Sequence, residues 1–215
     1  MHKPRLQHFV AIMAKPFPER AECMNELDPA VAPLDVRLHE LLRLHARNVP
    51  AQGALADEFG TVLRSSEDAF RRERREAHFT GSAWLVSADG ERVLLTHHRK
   101  LQRWLQLGGH ADGDRDLAHV ALREAEEESG LPGLVLDDPA IFDLDKHWIP
   151  ERTDVPGHWH YDARFVIRAT GSEAFVVSGE SLALAWRPVA ALADDPQADD
   201  SLRRMATRWL SRQGV

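Results

Sequence analysis

The chain has 215 residues, of which 43% are apolar and 28% charged, and its formal net charge is −7. This composition is typical of one folded globular domain, alone or with an appendage, and it excludes a disordered chain. No run approaches the roughly 18 apolar residues of a membrane-spanning helix, and the acidic balance argues against a nucleic-acid coat. The single cysteine, Cys23, excludes an intramolecular disulfide and a thiolate metal site. Because the N-terminus has only a short apolar patch, we expect a cytoplasmic protein.

The first part of the chain predicts an irregular arm followed by helices. Residues 1–35 contain five of the twelve prolines and show no clear periodicity, which is typical of an arm. Apolar positions at helical spacing predict one helix over residues 36–48, ended by Pro50, and a second helix around residues 55–63. The charged run at residues 71–76 favours a solvated helix face over a basic patch that binds phosphates.

Beyond residue 80 the pattern changes mainly to strands. An Asp-Gly turn is expected to join the first two of them as a hairpin, and Gly130 is expected to end the helix that follows. In chain order, the predicted strands span residues 82–90, 91–99, 104–109, 140–149, 158–170 and 175–177. The predicted helices span residues 116–129, a region that begins at residue 188, and residues 201–212. Mixed strands and helices predict a sheet covered by helices.

The segment from Gly109 to Leu131 carries the clearest chemical pattern, a glycine loop that enters an acidic helix. Glu124, Glu127 and Glu128 stand at positions i, i+3 and i+4, so their carboxylates share one face of the helix. Carboxylates at such short distances repel one another unless a cation lies among them, and one arginine does not neutralise three glutamates. Oxygen ligands at this density favour Mg²⁺ or Mn²⁺, which would also bridge to substrate phosphates. A solvated acidic helix face is the alternative.

The same segment resembles the Nudix box, G-x5-E-x7-R-E-U-x-E-E-x-G-U, in which U is a bulky aliphatic residue. Seven positions of the box are filled in this chain, by Gly109, Arg123, Glu124, Glu127, Glu128, Gly130 and Leu131. Two positions depart from it, since Arg115 stands where the first glutamate belongs and Ala125 takes an aliphatic position. The resemblance implies an α+β protein with a Nudix-type α/β/α sandwich and a mixed β-sheet. It places the Nudix hydrolase domain at residues 78–215, after an N-terminal arm and small helical segment at residues 1–77.

The resemblance also implies an activity and a set of site residues. Family members hydrolyse a nucleoside diphosphate linked to another group, by attack of water on phosphorus. Carried over by position, the metal ligands are Glu124, Glu127, Glu128 and the main chain of Gly109, with Mg²⁺ or Mn²⁺ as the cofactor. The catalytic residues are Glu124, Glu127, Arg123 and, as a candidate general base on a later loop, Glu180. Arg123 would orient the glutamates through charge-assisted hydrogen bonds. Because Arg115 carries no carboxylate, Asp114 and Asp116 are candidate substitutes, and the number of metal ions stays open.

Histidines are unusually frequent on the later strands. His158, His160 and Asp162 alternate and therefore face one side of a strand, and Asp143, Asp145 and His147 do the same on the previous strand. If the two strands pair, these groups meet near the pocket. Three interpretations stay open: a second, transition-metal site; ordinary hydrogen-bonded sheet residues; and a substrate-binding polar lining made by His110, His158, His160 and Asp162.

The sequence therefore predicts a metal-dependent hydrolase of a nucleoside diphosphate derivative. Its expected partner is that small molecule, with no nucleic acid and no membrane, and a homodimer is an expectation from similar folds. The alternative is a Nudix-fold sensor that binds a nucleotide without cleaving it, for which Arg115 is the motive. An isomerase acting on an isoprenoid diphosphate is disfavoured, because Cys23 lies far upstream of the fold.

Overall fold

The computed structural model describes residues 35–214 except 66, 67, 154, 178 and 180. The predicted arm lies outside the described residues, apart from Asp35 at its end. The helices are α1 (Val36–Asn48), α2 (Gly53–Leu63), α3 (Leu117–Ser129), α4 (Val189–Asp194) and α5 (Asp200–Gln213). The strands are β1 (Ala77–Val86), β2 (Arg92–His98), β3 (Arg103–Leu105), β4 (Leu107–His110), β5 (Leu134–Leu136), β6 (Asp143–Ile149), β7 (His158–Ala169) and β8 (Ser181–Pro188).

These eight strands form one mixed sheet. The central pair, β1 and β7, runs parallel, from Ala77 opposite Trp159 to Val86 opposite Arg168. All the other pairs are antiparallel: β4 lies beside the middle of β1, β2 connects β1 to β3 and β8, and β5 and β6 both pair with β7. The sheet therefore brings the strand that precedes the box helix next to β1, one of the two central strands.

Helices cover both faces of the sheet, which confirms the predicted α/β/α sandwich and the small helical segment before it. On one face α3 lies so close to β1 that a Cβ at Gly81 would approach the Leu117 carbonyl oxygen to 2.7 Å. Helix α2 covers the same face, where the Phe59 ring stacks on Phe79 with centroids 5.7 Å apart. On the other face α5 buries Trp209 completely. None of the helices in the described part of the chain is long and apolar enough to cross a membrane.

The structure differs from the predicted elements at five places, one of which is the short strand β5, where the sequence predicts no strand. Residues 71–76 form consecutive turns rather than a helix. Residues 175–177 are not a strand, and residues 104–109 form two short strands instead of one. Strand β8 covers a stretch predicted as a loop. Its ladder with β2 has a register shift beside His97, and Leu182 is exposed whereas Leu184 is buried.

Candidate active site

Local sequence fixes both ends of the box helix α3. The Asp116 carboxylate caps its N-terminus by accepting hydrogen bonds from the backbone N–H groups of Ala118 and His119. At the other end Gly130 adopts a left-handed conformation, with φ of 64°, and stops the helix. The buried residues Val120, Ala121 and Ala125 face the sheet, so the glutamates of the last two turns lie away from the core.

Two of the three box glutamates lie against the backbone of β4. The Gly108 N–H donates a hydrogen bond of 2.8 Å to Glu128 Oε1. A Cβ at Gly109 would meet Glu124 Oε2 at 2.4 Å, so only glycine leaves room for that carboxylate. The Glu124 side chain is 15% exposed, whereas Glu127 is 62% exposed and points outward.

Arg123 lies between the box helix and the strand β4. Its guanidinium forms an ion pair with Glu124, 3.1 Å from Oε1, and donates a hydrogen bond of 3.1 Å to the His110 carbonyl oxygen. The same guanidinium lies 3.9 Å from Glu127 Oε1. Arg123 therefore connects the helix to the strand on which the box begins. The fourth residue of the predicted catalytic group, Glu180, lies outside the described residues.

The donor set of this group fits a hard divalent cation. Glu124 and Glu128 carry carboxylate oxygens beside β4, and Gly109 carries a main-chain carbonyl on that strand, so the groups that the box offers here are oxygen donors. Mg²⁺ and Mn²⁺ prefer such oxygen ligands, usually one or two carboxylates completed by water and substrate phosphates.

The arginine that departs from the box has structural partners in the N-terminal segment. The Arg115 guanidinium forms an ion pair with Asp35, just before α1, and lies 3.4 Å from the Asp68 carboxylate. It also stacks over the Phe70 ring at 4.9 Å. Through these contacts, Arg115 links the box loop to the segment that precedes the sheet.

The two aspartates that flank Arg115 are engaged as well. Asp116, besides capping α3, accepts a hydrogen bond of 2.7 Å from Arg37 on α1. Asp114 accepts from the Asp116 N–H at 2.9 Å and lies 2.6 Å from His119 Nδ1. Both carboxylates therefore stabilise the loop and the start of α3, which argues against either as a substitute for the first glutamate.

The strands that carry the predicted histidines do pair, and the rings meet beside β4. His147 lies opposite His160 in the β6–β7 ladder. The His160 ring contacts those of His110, His147 and His158, with centroids 5.0–5.3 Å apart. His97 lies apart from this group, against Trp104.

The sequence interpretation missed the fifth member of this histidine cluster, His78. It lies on β1 opposite His160, and its ring centroid is 4.8 Å from those of both His158 and His160. The residue type was visible in the sequence, but its position depends on the parallel pairing of two strands that are 80 residues apart. No local pattern encodes that pairing.

Burial keeps much of the cluster neutral. It lowers the pKa of His160 to about 2 and the pKa of His110 to about 4, with the neighbouring imidazoles adding to the effect. Burial also lowers the pKa of His78, against a backbone hydrogen bond to Arg74 that favours the charged form. These rings therefore present lone pairs rather than positive charge near pH 7.

Asp162, predicted to bind substrate, lies deep in the sheet instead of facing a cleft. It is 1% exposed and accepts hydrogen bonds from Thr80 at 2.8 Å and Ser82 at 2.7 Å. Arg164 donates to its second oxygen at 2.8 Å, and Gln106 approaches the same oxygen at 3.3 Å. Any influence of Asp162 on substrate would pass through these partners.

Asp162 belongs to a buried network that we term the acid–arginine layer. Asp143 lies at its centre, fully buried, with guanidinium nitrogens of three arginines within 3.3 Å. The layer joins β6 and β7 to helix α5. Its members are Asp143, Asp145, Asp162, Arg164, Arg204 and Arg208.

Solved structures with this fold come from distant organisms. A hydrolase of the NUDIX family from Clostridium perfringens shares 25% identity, with a TM-score of 0.50 over 63% of this chain and 97% of that chain. A MutT protein from Methanosarcina mazei Go1 shares 17% identity, with a TM-score of 0.51 over 66% and 99%. An Ap4A hydrolase of C. elegans shares 13%, with a TM-score of 0.50 over 63% and 97%. A comparison with curated proteins gave no match.

The family assignment rests on the sequence itself. The family model described as NUDIX domain matches residues 78–210, which is more than half of the chain. The matched range contains the whole sheet except Ala77, together with the box helix and most of α5. The chain belongs to the Nudix family.

Proposed function

We propose that the domain from residue 78 onward is a metal-dependent pyrophosphohydrolase that cleaves the diphosphate linkage of a nucleoside diphosphate derivative. The observation that carries the proposal is the position of Glu124 and Glu128 against the backbone of β4, with Arg123 linking helix and strand. Membership of the Nudix family supports the reaction class.

In this proposal Glu124, Glu128 and the Gly109 carbonyl hold Mg²⁺ or Mn²⁺, and Glu127 completes the set. The cation, when bound, neutralises the diphosphate and lowers the pKa of the attacking water. Arg123 holds Glu124 in place by a charge-assisted hydrogen bond and fixes the box strand through the His110 carbonyl.

A general base must take the proton from the attacking water. We propose Glu180 or the outward-pointing Glu127 for this role. Glu127→Gln and Glu180→Gln variants separate the two, because loss of the base removes the acidic limb of the pH–rate profile. A change in metal affinity alone leaves that limb in place at saturating metal.

The histidine cluster is proposed to line the substrate side of β4. His110 follows the box glycine directly, and its neutral imidazole is suited to hydrogen bonding with a phosphate or sugar oxygen. The roles of His158 and His160 are considered further below. Asp162 is proposed to act indirectly, by holding Gln106 between β3 and β4.

The alternative function is a Nudix-fold sensor that binds a nucleotide without cleaving it. Arg115 has structural contacts with Asp35, Asp68 and Phe70, but it supplies no carboxylate in place of the first glutamate of the box. Measurable turnover that Glu127→Gln or Glu128→Gln abolishes would reject the sensor.

The test is hydrolysis of nucleoside diphosphate derivatives, nucleoside triphosphates and dinucleoside polyphosphates with Mg²⁺, Mn²⁺ or chelator. We expect metal-dependent cleavage in the wild type and a loss on the order of a thousandfold in Glu128→Gln, since removing one group that organises charge at a reacting phosphate or acyl centre costs about 10²–10³. Glu126→Gln is the matched control, because that exposed glutamate lies on the same helix outside the site. Equal cleavage by Glu128→Gln and wild type would contradict the proposal.

A further inference from the structure

The described part of the chain contains one group of three histidine, cysteine or acidic side chains whose ligand atoms all lie within 4.8 Å of one another. That group is His78, His158 and His160. His78 and His158 are 2% and 5% exposed, and His160 is partly exposed. The three lie on the two central strands, and they include none of the box glutamates.

Hydrogen bonds to backbone carbonyls fix the tautomers of two of these rings. Nδ1–H of His78 donates to the Arg74 carbonyl at 3.0 Å, and Nδ1–H of His158 donates to the Pro156 carbonyl at 2.8 Å. A carbonyl only accepts, so Nε2 of each neutral ring carries a lone pair. Metal-binding histidines are characteristically held in this way, with one ring N–H on a carbonyl or carboxylate and the other nitrogen on the ion.

The spacing of the nitrogens also suits a shared ion. His158 Nε2 and His160 Nε2 lie 3.2 Å apart. Two imidazole nitrogens on one tetrahedral Zn²⁺, with bonds of about 2.0–2.1 Å, lie about 3.3 Å apart. His78 Nε2 is buried and has no hydrogen-bond partner among the described residues. A buried polar atom without a partner is costly, and a cation would satisfy it.

We propose that His78, His158 and His160 form a second metal site, which binds a borderline transition-metal ion such as Zn²⁺ through imidazole nitrogen. This ligand set differs in kind from the oxygen set of the box, because imidazole favours zinc and its neighbours whereas carboxylates and carbonyls favour Mg²⁺ or Mn²⁺. Three protein ligands leave one position for water or for an oxygen of a bound molecule. The site goes beyond the proposed hydrolysis and does not depend on it.

The cluster is placed next to the box strand. The His110 ring lies 5.1 Å from His78 and 5.0 Å from His160, while its carbonyl accepts the hydrogen bond from Arg123. His147 approaches from the other side, and its Nδ1 lies 3.2 Å from the Asp145 carboxylate. An ion at this site would therefore lie beside the His110 ring, next to the strand on which the box begins.

The experiment uses the full-length Glu128→Gln protein, in which the competing box site is weakened. After removal of metal with a chelator, Zn²⁺ is titrated against a chromophoric competitor, and the zinc environment is measured by X-ray absorption. We expect one tightly bound Zn²⁺ per chain with three imidazole nitrogens in its shell. His160→Gln, added to this background, should weaken binding at least about 100-fold, as loss of a direct ligand exceeds the 10–100-fold cost of an outer-shell change.

His119→Gln, an exposed histidine on α3, is the matched control and should leave zinc binding unchanged. If His160→Gln does not fold, the test is made on the Glu128→Gln protein, which keeps all its histidines. In its ring-nitrogen NMR spectrum, zinc must shift the Nε2 signals of His78, His158 and His160. An oxygen-only zinc shell, unshifted Nε2 signals, or equal affinity in a folded His160→Gln variant would each overturn the proposal.

Discussion

Two groups of three carboxylates lie near this sheet, and their surroundings differ sharply. Asp143, Asp145 and Asp162 belong to the acid–arginine layer, where guanidinium groups hold them between the sheet and α5. The box glutamates instead line the surface end of α3, with Glu127 mostly exposed. Carboxylates paired with arginines between a sheet and a helix stabilise the fold, whereas carboxylates beside an accessible glycine strand can bind a ligand from solution.

The largest expected effect on stability comes from the centre of the acid–arginine layer. Asp143→Ala leaves Arg164, Arg204 and Arg208 without their shared carboxylate, and breaking a buried ion pair on one side typically costs about 3–5 kcal/mol. Denaturant unfolding measures the change. Asp200→Ala is the control, because that carboxylate is 96% exposed in its pair with Arg203 and should cost less than about 1 kcal/mol. Similar losses in both variants would remove the distinction between the two groups.

A methyl group at Gly109 should impair the box while sparing the fold. The added Cβ would displace the flexible end of Glu124, which it meets at 2.4 Å, so we expect activity to fall on the order of 100-fold, comparable to removal of one stabilising donor. Stability should change by less than about 1 kcal/mol, because only a side-chain end must move. Steady-state kinetics and thermal unfolding provide the two measurements. Gly53→Ala, where nothing lies within 4 Å of the new Cβ, should alter neither activity nor stability strongly.

Arg115 should matter more for stability than for catalysis. Arg115→Ala removes its contacts with Asp35, Asp68 and Phe70, which we expect to cost about 1–2 kcal/mol for two partly buried ion pairs and one cation–π contact. Arg37→Ala, whose pair with Asp116 is mostly exposed, should cost less than about 1 kcal/mol. The metal-dependent rate should stay within a few-fold of wild type in both variants. A rate that collapses in Arg115→Ala alone would assign the arginine to catalysis.

The smallest effect concerns acid stability. Burial disfavours the ionised form of Asp145, but the hydrogen bond from His147 and the charge of Arg164 outweigh it, so its pKa lies well below the usual 3.8. A lowered pKa means that the folded state binds fewer protons than the unfolded state, so this contribution is present above about pH 4 and is lost as the pH falls below it. Wild type should lose up to about 1.4 kcal/mol more per pH unit than Asp145→Asn in that window. If the free energy of unfolding of the two proteins depends on pH in the same way, Asp145 does not make this contribution to stability.

The sequence predicts the arrangement of the box glutamates but not the contacts of the three aspartates in the acid–arginine layer. The box glutamates are close in sequence on one helix, so their shared face follows from helical spacing, and the pattern from Gly109 to Leu131 identified the family. The sequence also predicts that His158, His160 and Asp162 share one face of a strand, because side chains alternate along a strand with a period of two. What each residue contacts depends on strand order, which brings His78 to His160 and α5 over Asp143.

The same limit explains the differences in the fold. Helices with a periodic apolar face were predicted within a few residues, as α1 and α3 illustrate. β5 has only three residues, and residues 182–186 of β8 are all apolar or small, so neither strand shows the apolar–polar alternation that a strand prediction requires. Arg115 could be recognised as a departure from the box, but its partner Asp35 lies 80 residues away.

The most direct test of the central claim is a parallel assay of wild type, Glu128→Gln and Glu126→Gln on nucleoside diphosphate derivatives with and without Mg²⁺ or Mn²⁺. The account predicts that cleavage by wild type and Glu126→Gln requires the metal, and that Glu128→Gln loses activity on the order of a thousandfold. Cleavage that persists in Glu128→Gln, or that is unaffected by chelator, would contradict the assignment of the box glutamates as the metal-dependent centre.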